Sequence, residues 1–255
     1  PVSISLKINR LPGYWRLAPV RLSRLPLDTS GMSNTSALPA NLAIDRTSFR
    51  LPEGEYIRQT VPKDLIVLHY TAGSSAHSVY NAWLGQGSGS VATAYVVDLD
   101  GSIYEFCPPA CWAYHLGMKE RNPGCYHYRR SIGIEMVNVG PLRPDAERAD
   151  QLNWWPNNYS TPYCLTTETE KYTRAVFRGA RYFANFPDAQ VESVRSLVDH
   201  LCREFQIPRV LPPRAKREEY DARFFCGHRG IASHQNFRPD KFDVGPAWDW
   251  SRLGI

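Results

Sequence analysis

The chain has 255 residues, of which 43% are hydrophobic and 22% charged, and its formal net charge is +5. That length suffices for one large domain or two small ones, and the ordinary composition excludes a fibrous or disordered polypeptide. No run approaches the roughly 18 to 20 apolar residues that span a bilayer. With no Lys/Arg block and no basic recognition helix, the positive excess does not point to nucleic acid; it suits a polyanionic surface or a solvated exterior.

The chain opens at Pro1, with no initiator Met and no apolar signal core, the pattern of a processed or trimmed product. Residues 1–60 are rich in Pro, Ser, Leu and Arg and carry no sustained period. They read as an N-terminal arm or linker that packs on a body formed by residues 61–255. The body begins with "DLIVLHYTAG", a short apolar run closed by small and turn residues. Its length and β-branched content predict a buried strand. "ATAYVVDLDGSIYEFC" holds two β-rich runs around Asp100-Gly101, a hairpin signal. In "RSIGIEMVNVG", Ile132 and Ile134 alternate with Gly133 and Glu135, which predicts another strand.

Two helices are then expected. "TETEKYTRAVFRGARYFANF" has a Thr/Glu-rich start resembling a helix cap. "QVESVRSLVDHLCREFQ" places Val191, Val194, Val198, Leu201 and Phe205 on one helical face. Strands early and helices late predict an α/β fold with a mixed central β-sheet flanked by helices.

Six cysteines, at 107, 111, 125, 164, 202 and 226, permit disulfides in an oxidising compartment. No Cys-x-x-Cys pair exists, which excludes a zinc ribbon. A bridge between Cys107 and Cys111 across their Pro-Pro turn is expected, and Cys202, on the apolar face of its helix, reads as a buried free thiol.

The chemistry gathers around three positions. His69 closes the strand "DLIVLH", where a rigid sheet edge opens into a turn. A lone histidine there is more often structural than a ligand. His228 follows an apolar run and a glycine in "FFCGHRGIA", and Asp243 lies in "DKFDVGP". Two imidazoles and a carboxylate match a catalytic zinc site with its fourth position open. His234 is the rival to His228, but its segment "ASHQNFRPD" reads as a polar loop without the strand support a rigid ligand needs. His77, His127 and His200 have no comparable context and read as structural or surface residues.

The pieces "VLHYTAG", "AYVVDLDGSIYE", "AYHLG", "SIGIEMVN" and "GHRGIA…RPDKFDVGPAWDW" occur in one order. In that order they resemble the zinc-dependent N-acetylmuramoyl-L-alanine amidases, a superfamily that includes amidase-type phage lysozymes and peptidoglycan recognition proteins. The resemblance covers residues 60–253 and implies a peptidoglycan-recognition-protein-like amidase fold. It further implies one Zn2+ per chain, held by His69, His228 and Asp243, with Glu135 and Lys241 catalytic. His115 of "AYHLG" matches a histidine that lines the family's substrate cleft, and Tyr70 joins the substrate-binding set. Two departures stand out. The run "RGIASHQNFRPDK" is several residues longer than the family's and carries His234, and Thr93 and Ala94 stand where the family often has a His or Tyr. The long segment 141–166 supplies Trp154, Trp155, Tyr159 and Tyr163, which either stack on sugars or pack a long loop.

The resemblance implies hydrolysis of the amide between N-acetylmuramic acid and L-alanine of the stem peptide. Zinc lowers the pKa of water to near 7, Glu135 carries the proton and Lys241 faces the oxyanion. Peptidoglycan or a muropeptide would be the partner, and the expected site of action is extracytoplasmic, periplasmic or secreted, with a phage-encoded cytoplasmic endolysin as the alternative. A non-catalytic muropeptide receptor and a zinc hydrolase of another acylated peptide stay open as competing readings.

Overall fold

The computed structural model describes residues 42–86, 91–117, 124–154 and 162–255. They belong to one compact unit running from Ala40 to Ile255. The folded unit therefore reaches back past the expected boundary at residue 60. Strand β1 (Ile44–Asp45) pairs with the sheet, and Leu51 and Tyr56 are buried in the core.

The main sheet contains β1, β2 (Leu65–Tyr70), β3 (Tyr95–Val97), β4 (Ile103–Glu105), β5 (Ser131–Met136) and β11 (Gly230–Ser233). Its order is β1-β4-β3-β5-β2-β11, and every neighbouring pair is parallel except β3 and β4. Parallel strands covered on both faces carry continuous apolar runs. That is why Leu65, Ile66, Val67 and Leu68 are all completely buried. The expected strands at 65–70 and 131–136 and the hairpin around Asp100-Gly101 all form.

Helix α3 (Asp188–Glu204) covers one face with Val191, Val194, Val198 and Leu201 of the expected stripe, joined by Leu197, while Phe205 falls at the helix C-cap. Three shorter helices complete the described set: α1 (Ala76–Trp83), α2 (His127–Arg130) and α4 (Ala222–Gly227). Helix α1 was not expected. Its start is a capping box in which Ser75 and Ser78 bond each other's backbone, a signal that serine-rich turns also carry.

The helix expected over 167–186 is instead a β-hairpin. Strands β9 (Tyr172–Phe177) and β10 (Ala180–Ala184) pair antiparallel in a second sheet, of order β8-β7-β6-β10-β9. Its other members are β6 (Pro141–Pro144), β7 (Gln151–Trp154) and β8 (Cys164–Leu165). Arg178 and Gly179 form the two-residue turn, with φ of +48° and +85°. Positive φ at both central positions matches the twist of a hairpin and favours glycine. The Thr/Glu-rich start that resembled a cap forms only one 3-10 turn, Thr169–Lys171, before the β-branched and aromatic run takes over.

Cys125 and Cys226 form a disulfide that ties the segment ahead of α2 to α4. Cys107 and Cys111 are free, so the expected bridge between them does not form. Cys202 is the buried free thiol its helical position implied.

Candidate metal centre and cleft

Three parallel strands, β5, β2 and β11, deliver the site. Their register sets His69 beside Glu135 and Ser233 beside Leu68. The residue that follows Ser233, His234, therefore arrives next to His69. It opens a 3-10 turn, His234–Asn236, whose start is fixed by reciprocal bonds between Ser233 and Asn236. The chain then returns through Lys241 to Asp243.

His69 Nδ1, His234 Nδ1 and Asp243 Oδ2 converge. The two nitrogens are 3.0 Å apart, and Asp243 Oδ2 lies 3.2 Å from His69 and 2.9 Å from His234. All three residues are buried. A tetrahedral site with metal–ligand bonds of about 2.0–2.1 Å has ligand–ligand edges of about 3.4 Å, so the triangle is close to zinc dimensions.

His228, expected as the second imidazole, is not in this triangle. It caps the C-terminus of α4 and is half-buried; its Nε2–H donates to the Ile231 carbonyl at 3.1 Å, and its ring stacks on Phe224. The aromatic run before it is helical, whereas "GIAS" is the strand that supports His234.

Glu135 faces the same cavity, and its Oε2 is buried with no hydrogen-bond partner among the described residues. Burial pushes its pKa well above the usual carboxylate value, and the Asp243 charge adds to this against the opposing pull of Lys241. Burial also acts to raise Asp243, but the two imidazoles outweigh it and hold that carboxyl well below its ordinary range. His69 is pushed down to about 4, by burial first and then by the adjacent His234 ring. The cleft has a volume of about 670 Å³, and its walls include Tyr70, Trp83, Trp154, Arg238 and Lys241. Tyr70 remains a neutral phenol because burial raises its pKa well above 10. Lys241 does not pair with Asp240, whose carboxylate is taken by Arg238. Trp155 and Tyr159 lie outside the described residues.

His115, expected in the cleft lining, does line it but is 4% exposed and sits behind His69, with its Nδ1 2.9 Å from His69 Nε2. Arg178, which the sequence did not single out, reaches from the hairpin turn to the loop between His234 and Asp243. It donates to the carbonyls of Gln235 at 3.1 Å, Arg238 at 3.0 Å and Lys241. A residue read as mid-helix gives no sign of such a role.

A buried triad of two imidazoles and one carboxylate beside an uncompensated glutamic acid, at the end of a parallel sheet, defines a hydrolase centre suited to one divalent metal. The N-acetylmuramoyl-L-alanine amidase family profile matches residues 59–241, most of the chain, and the protein belongs to that family of peptidoglycan amidases. A search of curated proteins finds no match. Similar solved structures include the amidase AmiD from E. coli, in complex with the substrate anhydro-N-acetylmuramic acid-L-Ala-D-gamma-Glu-L-Lys. It shares 20% identity at a TM-score of 0.46, over 77% of this chain and 58% of that one. An AmpD structure is 16% identical at a TM-score of 0.44, over 82% of this chain and 92% of that one. The endolysin LysCS from Clostridium intestinale URNW is 13% identical at 0.41, over 86% and 95%. The present chain thus spans little more than half of the AmiD chain.

Proposed function

We propose that this amidase is zinc-dependent, that His69, His234 and Asp243 hold the ion, and that Glu135 and Lys241 carry the chemistry. The observation behind this reading is the convergence of three ligand atoms within 2.9–3.2 Å of one another next to a carboxyl oxygen without a partner. Uncompensated, such a cluster is costly to bury; a divalent cation would neutralise it. Zinc bound there supplies Lewis acidity and water activated near pH 7.

The scissile bond is the amide joining the lactyl group of N-acetylmuramic acid to L-alanine. Glu135 Oε2 takes a proton from the attacking water and returns it to the departing nitrogen. Its raised affinity for a proton suits the first transfer, and its burial keeps bulk water from intercepting the second. Lys241, on the cleft wall, presents a fixed positive charge to the developing oxyanion. Tyr70 and Trp154 flank the groove as apolar walls for the sugar and stem peptide.

The Cys125–Cys226 disulfide supports action in an oxidising, extracytoplasmic setting. No helix among the described residues is long and apolar enough to cross a membrane. The test is mass spectrometry of a muramyl-tripeptide incubated with zinc-loaded protein. Release of the intact peptide with a free L-alanine amine is expected, and Glu135→Ala should abolish it. Uncleaved substrate would favour a muropeptide receptor, and undiminished cleavage by Glu135→Ala would remove that residue from the mechanism.

A further inference from the structure

Behind the ligand triangle runs a chain of buried hydrogen bonds that leads away from the cleft. His69 Nε2 lies 2.9 Å from His115 Nδ1, and His115 Nε2 lies 2.8 Å from Ser131 Oγ. Ser131 Oγ in turn lies 2.5 Å from the His127 carbonyl. His69, His115 and Ser131 are each at most 4% exposed.

Proton positions along this chain follow from its far end. A carbonyl only accepts, so the Ser131 hydroxyl must donate to His127 O. Its single hydrogen is then used, and Ser131 Oγ accepts from His115 Nε2–H. A neutral His115 carries no second N–H, so its Nδ1 is a bare acceptor and must receive the Nε2–H of His69. His69 Nδ1 is left as a lone pair aimed at His234 and Asp243. His115 is buried, and its two ring nitrogens meet only the His69 imidazole and the Ser131 hydroxyl, so no carboxylate stands beside it to hold a second proton on the ring.

We infer that His115 and Ser131 are positioning residues: the relay Ser131–His115–His69 locks His69 into the Nε2–H tautomer and aims its Nδ1 lone pair into the ligand triangle. The inference rests on the metal reading above and adds to it the device that prepares one ligand.

The strand is built to admit this relay. Ser131, Gly133 and Glu135 alternate along β5 and share one face. The first anchors His115, and the third is the candidate proton carrier. The middle position must be bare. A Cβ on Gly133 would lie 2.7 Å from Thr93 Cγ2 and 3.2 Å from His115 Cγ, so a side chain there would collide with Thr93 and crowd the imidazole. Lys63 Nζ fixes the start of the strand by donating to the carbonyls of Cys111, Arg129 and Ser131. The "SIGIE" stretch therefore encodes an anchor, a gap and an acid on alternate residues.

The test uses the full chain in two measurements. Two-bond 1H–15N correlation spectra of the metal-free protein read the His69 tautomer, and zinc competition against a chelating dye reads affinity. The wild type should show His69 as the Nε2–H form. His115→Leu removes the acceptor and should mix the tautomers and weaken zinc about 10–100-fold, the usual effect of losing a partner to a ligating histidine. His115→Asn places an amide oxygen where Nδ1 stood and should restore both readouts to within a few-fold. If His115→Leu does not fold, Ser131→Ala, which frees only the relay's end, should shift both readouts in the same direction. A variant without the relay that keeps the Nε2–H tautomer and wild-type zinc affinity overturns the inference. Wild-type protein that binds no zinc would refute the metal reading alone, since the tautomer spectra need no metal and still decide the relay.

Discussion

Replacing His234 and His228 separately by alanine distinguishes the two arrangements that the C-terminal histidines allow. In the structure only His234 joins His69 and Asp243, at 3.0 and 2.9 Å, whereas His228 spends its ring N–H on the Ile231 carbonyl. Structural zinc sites bind with about 10–16 kcal/mol. Shared over three protein ligands this is about 4 kcal/mol each, or about a thousandfold in affinity. Zinc should raise the melting temperature of the wild type, and His234→Ala should weaken zinc by about three orders of magnitude and abolish that rise. His228→Ala loses one partly solvated hydrogen bond and a stacked ring. That should cost about 1 kcal/mol of stability and leave zinc affinity intact. Dye-competition titrations and melts with and without zinc read both variants. A thousandfold loss in His228→Ala, or a loss under tenfold in His234→Ala, would refute this assignment of the ligands.

Glu135→Gln should lower kcat by about 10²–10⁴ while zinc affinity holds, because the amide keeps the shape but cannot carry the proton; a loss below tenfold in steady-state kinetics would contradict this. Arg178→Ala should cost about 2–3 kcal/mol by freeing the carbonyls of Gln235, Arg238 and Lys241, and amide exchange confined to residues 235–243 should accelerate. His127 is shifted from 6.5 down to about 4, by burial first and then by Arg130. Its contribution is fully present above pH 6.5 and is lost as pH falls toward 4, about 3 kcal/mol in all. His127→Gln should flatten the acid limb of denaturant stability by about that amount, and an unchanged limb would place the acid sensitivity elsewhere.

Much of this was legible from residue order alone. The strands at 65–70 and 131–136 declare themselves through β-branched apolar runs, and α3 through its regular apolar stripe. His69, Glu135, Lys241 and Asp243 sit in the pieces that carry the family resemblance, and the structure gathers them around one cleft. What failed is information held in pairing. His228 follows an apolar run that reads as its support, while His234 reads as part of a polar loop; the register of β11 against β2 reverses that choice, and register is a relation between distant segments. It also accounts for the apparently overlong run before Lys241, since counted from His234 that loop is short. The segment 172–184 carries a helix-like start yet forms a hairpin, because Thr and Glu near a segment start serve caps and turns alike. Its Tyr, Thr, Val and Phe content favoured strands throughout. Arg178 could not be found in advance, for its role exists only once the hairpin turns toward the loop.

The second sheet is a single uninterrupted excursion from the main fold. It departs after Gly140 and returns at Ala184, whose N–H bonds the Gly140 carbonyl at 3.0 Å. Asn138 staples this neck, donating to the carbonyls of Ala184 and Asn185 and accepting from Gly140 N–H. A segment whose ends meet so closely behaves as a cassette: it can be exchanged without rethreading the parallel strands that carry His69 and Glu135. Exchanging it would swap one wall of the cleft, Trp154, and with it the brace supplied by Arg178. Any replacement would inherit two obligations, to shape the groove and to hold the loop that brings Lys241 and Asp243 home.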